Sequence, residues 1–405
     1  MHDFKPPKLS RTALTIANGI IPLALKSRRV RSVRFEPEDV ERVRELRDER
    51  VVILPNHPTN TEPAIIFLLA RQAGDAFHYV CCREAFDRGG GLWGKFIQRL
   101  GAYSLVRGAL DRASFSMTRN LLAQPKAKVV IFPEGEVYSQ NDSLLPFQSG
   151  VVQLAFWGLE DALKGDETAD IKLLPVAVRY RFVEDMKPAI AHSISRLQKA
   201  VGISEAQPES IYGRIRGIGE VMVAKLEGQY GIKPDDASAL GDRMDRIKRM
   251  QLERAAEIAG VKLKGGNLAE EMRVVVNAVH KVTHDSSQGK TTYDLRLWEE
   301  ARNHIQPALH ELDRLANWIA VYDGYVAADP SPERMVQLLV RMEQEVFGQV
   351  QIQGWQEAHV GIGDPISLAV HHSDYSTHKR ETVSSVTKKC ETSVQALLTG
   401  LAAKL

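Results

Sequence analysis

Between Leu54 and Pro63 the chain reads Leu-Pro-Asn-His-Pro-Thr-Asn-Thr-Glu-Pro. His57 and Glu62 stand five positions apart, a turn of about 500° in a continuous helix, so they would not share a helical face. In a loop that enters a helix they can meet. One imidazole nitrogen then faces outward while the carboxylate holds the other N–H, fixing the tautomer and stabilising the imidazolium that forms. That is general-base chemistry, and Asn56 and Pro58 would restrict the loop that supports it. The same residues also fit a capping loop in which Glu62 only complements a helix dipole.

Two further stretches carry chemistry. Phe132-Pro133-Glu134-Gly135-Glu136 follows an apolar run. Ligands of open α/β sheets bind at the carboxyl ends of strands, where Gly135 permits close backbone approach and two acids can bond hydroxyls. Solvated acids in a strand-end turn fit equally well. Gly94-Lys95-Phe96-Ile97-Gln98-Arg99-Leu100-Gly101 runs on to Arg107. Arg99 and Arg107 can each hold a phosphate through parallel N–H bonds, or form surface ion pairs.

These stretches need elements to position them. VVILP (51–55), FHYVCC (77–82), AYSLV (102–106), KVVIFP (128–133) and IKLLPVAVRY (171–180) read as strands. Between them 64–74, with Pro63 at its first turn, 113–124 and 150–165 read as helices, and 37–50 as a charged helix before the first strand. Strands alternating with helices predict an α/β fold, a largely parallel sheet with flanking helices. From 186 to 348 the pattern changes to long amphipathic stretches, among them 236–260, 269–282, 294–322 and 331–348, with no repeat period. Residues 359–368 again read as strand and turn, and 381–405 as a closing helix. The expected organisation is a basic, apolar N-terminal segment (1–36), an α/β domain (37–185), a large all-α insertion before the last strand (186–350), and the last strand and C-terminal helix (351–405).

The net charge of +2 hides an asymmetry. Residues 1–35 hold eight Lys/Arg and one Asp, so this front end carries +7 against −5 for the rest. A basic front end points to an anionic partner, and with the apolar run 12–25 to a membrane surface. That run is interrupted by Asn18, Gly19 and Pro22 and falls short of the roughly 20 residues a spanning helix needs. It lacks the small-residue cleavage site of a signal peptide. It can lie in the membrane interface or pack on the protein's own core. Three cysteines, two of them neighbours, make neither a disulfide framework nor a metal-ligand set, which predicts a reducing, cytoplasmic setting.

Other chemistries are excluded. Gly89 to Gly94 satisfies G-x-G-x-x-G, but six residues separate it from the preceding strand. The same glycines nearly form a P-loop, but Phe96 stands where a hydroxyl must bind Mg²⁺. No G-x-S-x-G elbow is present. The remaining histidines form no metal site, and the basic residues lack the aromatic interleaving of a nucleic-acid surface.

Taken together and in order, the stretches resemble the glycerolipid acyltransferases, the family of the lysophosphatidic acid and glycerol-3-phosphate acyltransferases. That family's Asn-His, four residues, Asp is matched by Asn56, His57 and Glu62. Its glycines and arginine are matched by Gly94, Gly101 and Arg107, and its Phe-Pro-Glu-Gly by Phe132, Pro133, Glu134 and Gly135. Its Val-Pro-Val strand is similar to Leu174-Pro175-Val176, and its late Gly-Glu-Pro-Ile strand to Gly363-Asp364-Pro365-Ile366. The resemblance covers about 50–180 and 358–368. It departs at Glu62, a longer acid than Asp. At Glu136-Val137 it loses the family's Thr-Arg and gains an acid, which weighs against a glycerol-3-phosphate-like acceptor.

The resemblance implies O-acyl transfer from a thioester donor, acyl-CoA or acyl carrier protein, to a lipid or glycerol hydroxyl, with no cofactor and no metal. It implies His57 as general base and Glu62 as its orienting acid. Asn56, Arg107, Glu134 and Gly135 then bind substrate, with Arg107 on a phosphate. The setting it implies is cytoplasmic and peripheral to a membrane. A silent lipid-binding protein, or a transacylase that needs no thioester, shares the same sequence features.

Overall fold

The computed structural model describes residues 4–107, 111–137, 140–204, 210–233, 238–283, 291–319, 321–328 and 330–404. Of the segments read as helical, positions 236–237, 320 and 405 lie outside the described residues. In chain order the elements are α1 (Arg11–Ser27), β1 (Val30–Phe35), α2 (Pro37–Glu45), β2 (Arg50–Pro55), α3 (Glu62–Ala73), β3 (His78–Cys82) and α4 (Leu92–Arg99). There follow β4 (Ala102–Leu105), α5 (Arg112–Ala123), β5 (Lys128–Val130), α6 (Ser149–Leu163) and β6 (Ile171–Phe182). A helical series comes next: α7 (Lys187–Val201), α8 (Ile211–Tyr230), α9 (Leu240–Ile258), α10 (Leu268–Thr283), α11 (Thr292–Trp318), α12 (Tyr325–Ala328) and α13 (Pro332–Phe347). The chain closes with β7 (Gln356–Ile362), β8 (Ile366–Ser367), α14 (His372–Thr377) and α15 (Lys379–Lys404).

The chain divides into two compact units, residues 1–181 with 356–405, and residues 182–355. The first is built on one mostly parallel sheet in the order β1-β7-β6-β2-β5-β3-β4, with β8 antiparallel on β6. The strand run Val51–Leu54 is apolar throughout because both faces are covered. Val51 and Ile53 pack with residues of α1, α2 and α3, while Val52 and Leu54 pack with residues of α5, α6 and α15. β1 is unforeseen in the sequence. Its burial is low after Val30, as befits an edge strand. It pairs in parallel with β7, Val33 opposite Ala358 and Phe35 opposite Val360.

The second unit is helical. Residues of α7, α8 and α13 share one apolar cluster and residues of α9, α10 and α11 another. A buried bidentate pair, Arg243 to Glu227 at 3.0 and 2.6 Å, ties α9 to α8. The carboxylate of Glu343 collects Ser193, Arg196 and the backbone N–H groups of Gln351 and Ile352, which fixes the chain's exit from α13.

Candidate active site

Asn56, His57, Glu62, Arg107, Glu134 and Gly135 lie at the carboxyl ends of the first unit's parallel strands, whereas Arg99 ends α4 before β4 begins. β2 ends at Pro55 and releases the loop that carries His57. Glu62 opens α3, with Pro63 in the first turn, where a missing N–H costs no helical bond. His57 Nδ1 lies 2.8 Å from Glu62 Oε2, so loop and helix start bring the pair together. Glu62 is fully buried, and the His57 side chain is 16% exposed.

A buried carboxylate needs donors. Glu62 has the Thr59 N–H at 3.1 Å, the Thr59 hydroxyl at 2.5 Å and the Tyr180 hydroxyl. Tyr180 also lies 2.5 Å from the Thr61 hydroxyl. Burial, and then the Glu62 charge, push the Tyr180 phenol well above its ordinary range, so it stays a donor. On its other side the His57 ring stacks on Phe132, centroids 4.2 Å apart. The ring is thus held by a carboxylate at one nitrogen and an aromatic face along its plane.

Asn56 is fully buried, and its amide acts as an extra rung of the sheet. Its Oδ1 accepts from Val178 N at 2.7 Å and its Nδ2 donates to Val178 O at 3.0 Å. Asn141 does the same for Tyr180, accepting from its N at 2.6 Å and donating to its O at 2.5 Å. Two side-chain amides therefore extend the ladder along β6 past the end of β2 and fix Tyr180 over Glu62.

Phe132 and Pro133 leave the ladder one residue after β5 has ended and deliver Glu134. Its buried carboxylate accepts from His57 N at 2.8 Å and Leu145 N at 2.7 Å, clamping the His57 loop to the loop that follows β5. Gly135 has φ +75°, and a Cβ there would lie 1.7 Å from Gln148 Nε2, whose amide donates to Glu134 O.

The spacing of Gly94, Gly101 and Arg107 also has a steric cause. A Cβ on Gly94 would stand 2.1 Å from Phe86 O, and one on Gly101 2.6 Å from Phe77 O, at φ +95°. These contacts seat α4 and aim β4, which ends just before Arg107. The Arg107 guanidinium bonds Glu136 at 2.9 Å, and the Cys82 sulfur and Glu84 lie in its field. Cys82, bonded by Cys81 and near Arg107, is lowered to about 6. Arg99 is exposed and bonds Lys95 O.

The structure thus brings Asn56, His57, Glu62, Glu134 and Gly135 into one hydrogen-bonded cluster and places Arg107 at its flank on Glu136. Asn141 and Tyr180 escape the sequence, because no spacing relates them to His57, and the quoted stretches show Thr59, Thr61 and Phe132 as letters without their bonds to the Glu62 group or the stacking on His57. No group of three or more His, Cys, Asp or Glu side chains with metal-ligand geometry occurs among the described residues.

The family model Acyltransferase matches residues 34–179, the stretch that holds Asn56, His57, Glu62, Arg107, Glu134 and Gly135. A comparison with curated proteins returns no match.

Proposed function

We propose, from the premise that residues 34–179 form a domain of the glycerolipid acyltransferase family, that this protein moves a fatty acyl group from a thioester donor to a hydroxyl of a glycerolipid or lysophospholipid. The donor is acyl-CoA or acyl carrier protein. The observation that carries the reading is the 2.8 Å contact between His57 Nδ1 and the buried Glu62. With Glu62 accepting at Nδ1–H, Nε2 is the free base. It takes the acceptor's proton as the acceptor oxygen attacks the thioester carbonyl. The C–S bond breaks, and the imidazolium returns the proton to the departing thiolate. The acceptor is itself the nucleophile, so no acyl-enzyme forms. Glu62 neutralises the imidazolium while it exists and stays oriented through Thr59 and Tyr180.

The protein works at the cytoplasmic surface of a membrane, through α1. The helix buries Ala13, Ala17, Ile21 and Leu25 against the unit's core and leaves Ile16, Ile20 and Leu23 exposed. At about 100° per residue these three form a second apolar stripe beside the buried one. Basic residues at positions 5, 8, 11, 26, 28, 29, 31 and 34 flank it in the sequence. No helix among the described residues is long and apolar enough to cross a membrane.

The test is product formation from labelled acyl-CoA, and then from acyl carrier protein, across lysophospholipids, monoacylglycerol and glycerol 3-phosphate. Wild type should give a labelled lipid, and His57→Ala should reduce its rate by about 10²–10⁴-fold. Activity that survives the loss of His57, or none with any pair, would defeat the reading.

A further inference from the structure

Burying a cation is tolerated when acceptors surround it. The fold observes this almost everywhere. Lys128 donates to the carbonyls of Arg47, Glu49 and Lys126. Arg243 is paired with Glu227, Lys248 with Asp245 and Val321 O, and Arg341 with the carbonyls of Asn317 and Gln337. Arg179 breaks the pattern. Its residue is only 9% exposed, among the described residues no carboxylate, carbonyl or aromatic ring partners its guanidinium, and none of its nitrogens is a sealed, unpartnered atom, so the guanidinium keeps an opening to solvent.

Its place in the fold is specific. Arg179 lies near the carboxyl end of β6, the strand beside β2. The residues on either side of it are the two that side-chain amides pin, Val178 by Asn56 and Tyr180 by Asn141. Its backbone is therefore held next to the loop that starts at Asn56 and carries His57. Val178 and Tyr180 pack on one face of the sheet and Ala177 on the other, so alternation sends Arg179 out on the Ala177 face. Arg107, which follows β4, is already engaged by Glu136, with Glu84 in its field.

We propose that Arg179 is the anion-binding residue of this site and takes a phosphate group of a substrate through its planar, two-pronged guanidinium. The chemistry of the ligand rests on the acyl-transfer reading above, in which phosphate is the anion both substrates carry: in the phosphopantetheine arm of the donor and in the headgroup of a lysophospholipid acceptor. The phosphate role expected of Arg107 passes to Arg179, and the Arg107–Glu136 pair closes off the flank.

The experiment is calorimetric binding of two probes, 4′-phosphopantetheine and a short-chain lysophosphatidate, to wild type, Arg179→Gln, Arg179→Lys and His57→Ala. One probe should bind wild type and His57→Ala alike, lose at least about tenfold in affinity in Arg179→Gln, and regain part of it in Arg179→Lys. The probe that behaves so names the source of the phosphate. Equal binding by wild type and Arg179→Gln, or binding of neither probe by wild type, would overturn the proposal. Arg179-dependent binding without acyl transfer would sink the functional reading and leave this one standing.

Discussion

Tyr180 touches none of the atoms that react in the proposed transfer, yet it acts on them through Glu62. Its hydroxyl and that of Thr59 point at the buried carboxylate that holds His57. Tyr180→Phe keeps the ring in the core and removes one donor to a charged acceptor, worth about 1.5–3 kcal/mol. Because that charge matters most when His57 is protonated, the loss should fall on turnover: kcat lower by about tenfold or more, KM little changed. Steady-state kinetics beside wild type checks this, and an effect confined to KM would remove Tyr180 from the positioning of the base. His57 and Glu62 were legible in the sequence because five positions separate them and a helix start lies between. Tyr180 lies 118 positions from Glu62, and only the pairing of β6 with β2 brings it there. Asn56 and Glu134 were legible as part of the site, whereas their bonds to Val178 and to the backbone of His57 and Leu145 required the fold.

At the scale of elements, legibility followed burial. β2 and β6 are covered on both faces and read as continuous apolar runs, and the helices of the second unit show their stripes plainly. β1 was hidden because an edge strand with Arg31, Ser32 and Arg34 turned to solvent has no such run. The glycines of the Gly94 to Arg107 segment were visible as letters, but their reason lies in contacts with Phe86 and Phe77. Gly94→Ala places a methyl against a backbone carbonyl that cannot rotate away, so α4 must shift. Overpacking of this kind costs about 1–3 kcal/mol. The N-terminal strap shares α4, with Lys8 N on Gln98 O and Ser10 N on Arg99 O. Hydrogen exchange should therefore show Gly94→Ala losing protection at Lys8 and Ser10, with a lower melting temperature. Unchanged protection would mean that α4 is not seated by this contact.

For the molecule as a whole, the N-terminal stretch is part of the core as well as the proposed membrane contact, and a deletion would confuse the two. Ala17, Ile21, Leu25 and Val30 belong to the core of the first unit, so removing residues 1–34 would strip an edge strand and a packed helix along with any membrane contact. Substitutions on the outer stripe separate the two. Ile16→Ser, Ile20→Ser and Leu23→Ser together should leave the melting temperature near wild type and weaken partitioning onto anionic vesicles by at least about tenfold, since full burial of each side chain is worth about 1.5–3 kcal/mol. Vesicle sedimentation at low and physiological salt measures it. Undiminished binding would place the membrane contact elsewhere.

The pairing of β1 with β7 has a consequence for how the protein is made. Ser32 and Glu357, hydrogen-bonded neighbours across that edge, are 325 positions apart. At roughly 5–20 residues per second a ribosome needs about 15–65 s to deliver the second after the first. For that interval the nascent chain holds a strand without its mate, while the whole helical unit emerges in between. The sheet therefore cannot close between β1 and β6 until β7 has emerged behind the whole helical unit, and a chain that stops before then leaves an open edge exposed to the quality-control machinery of the cell.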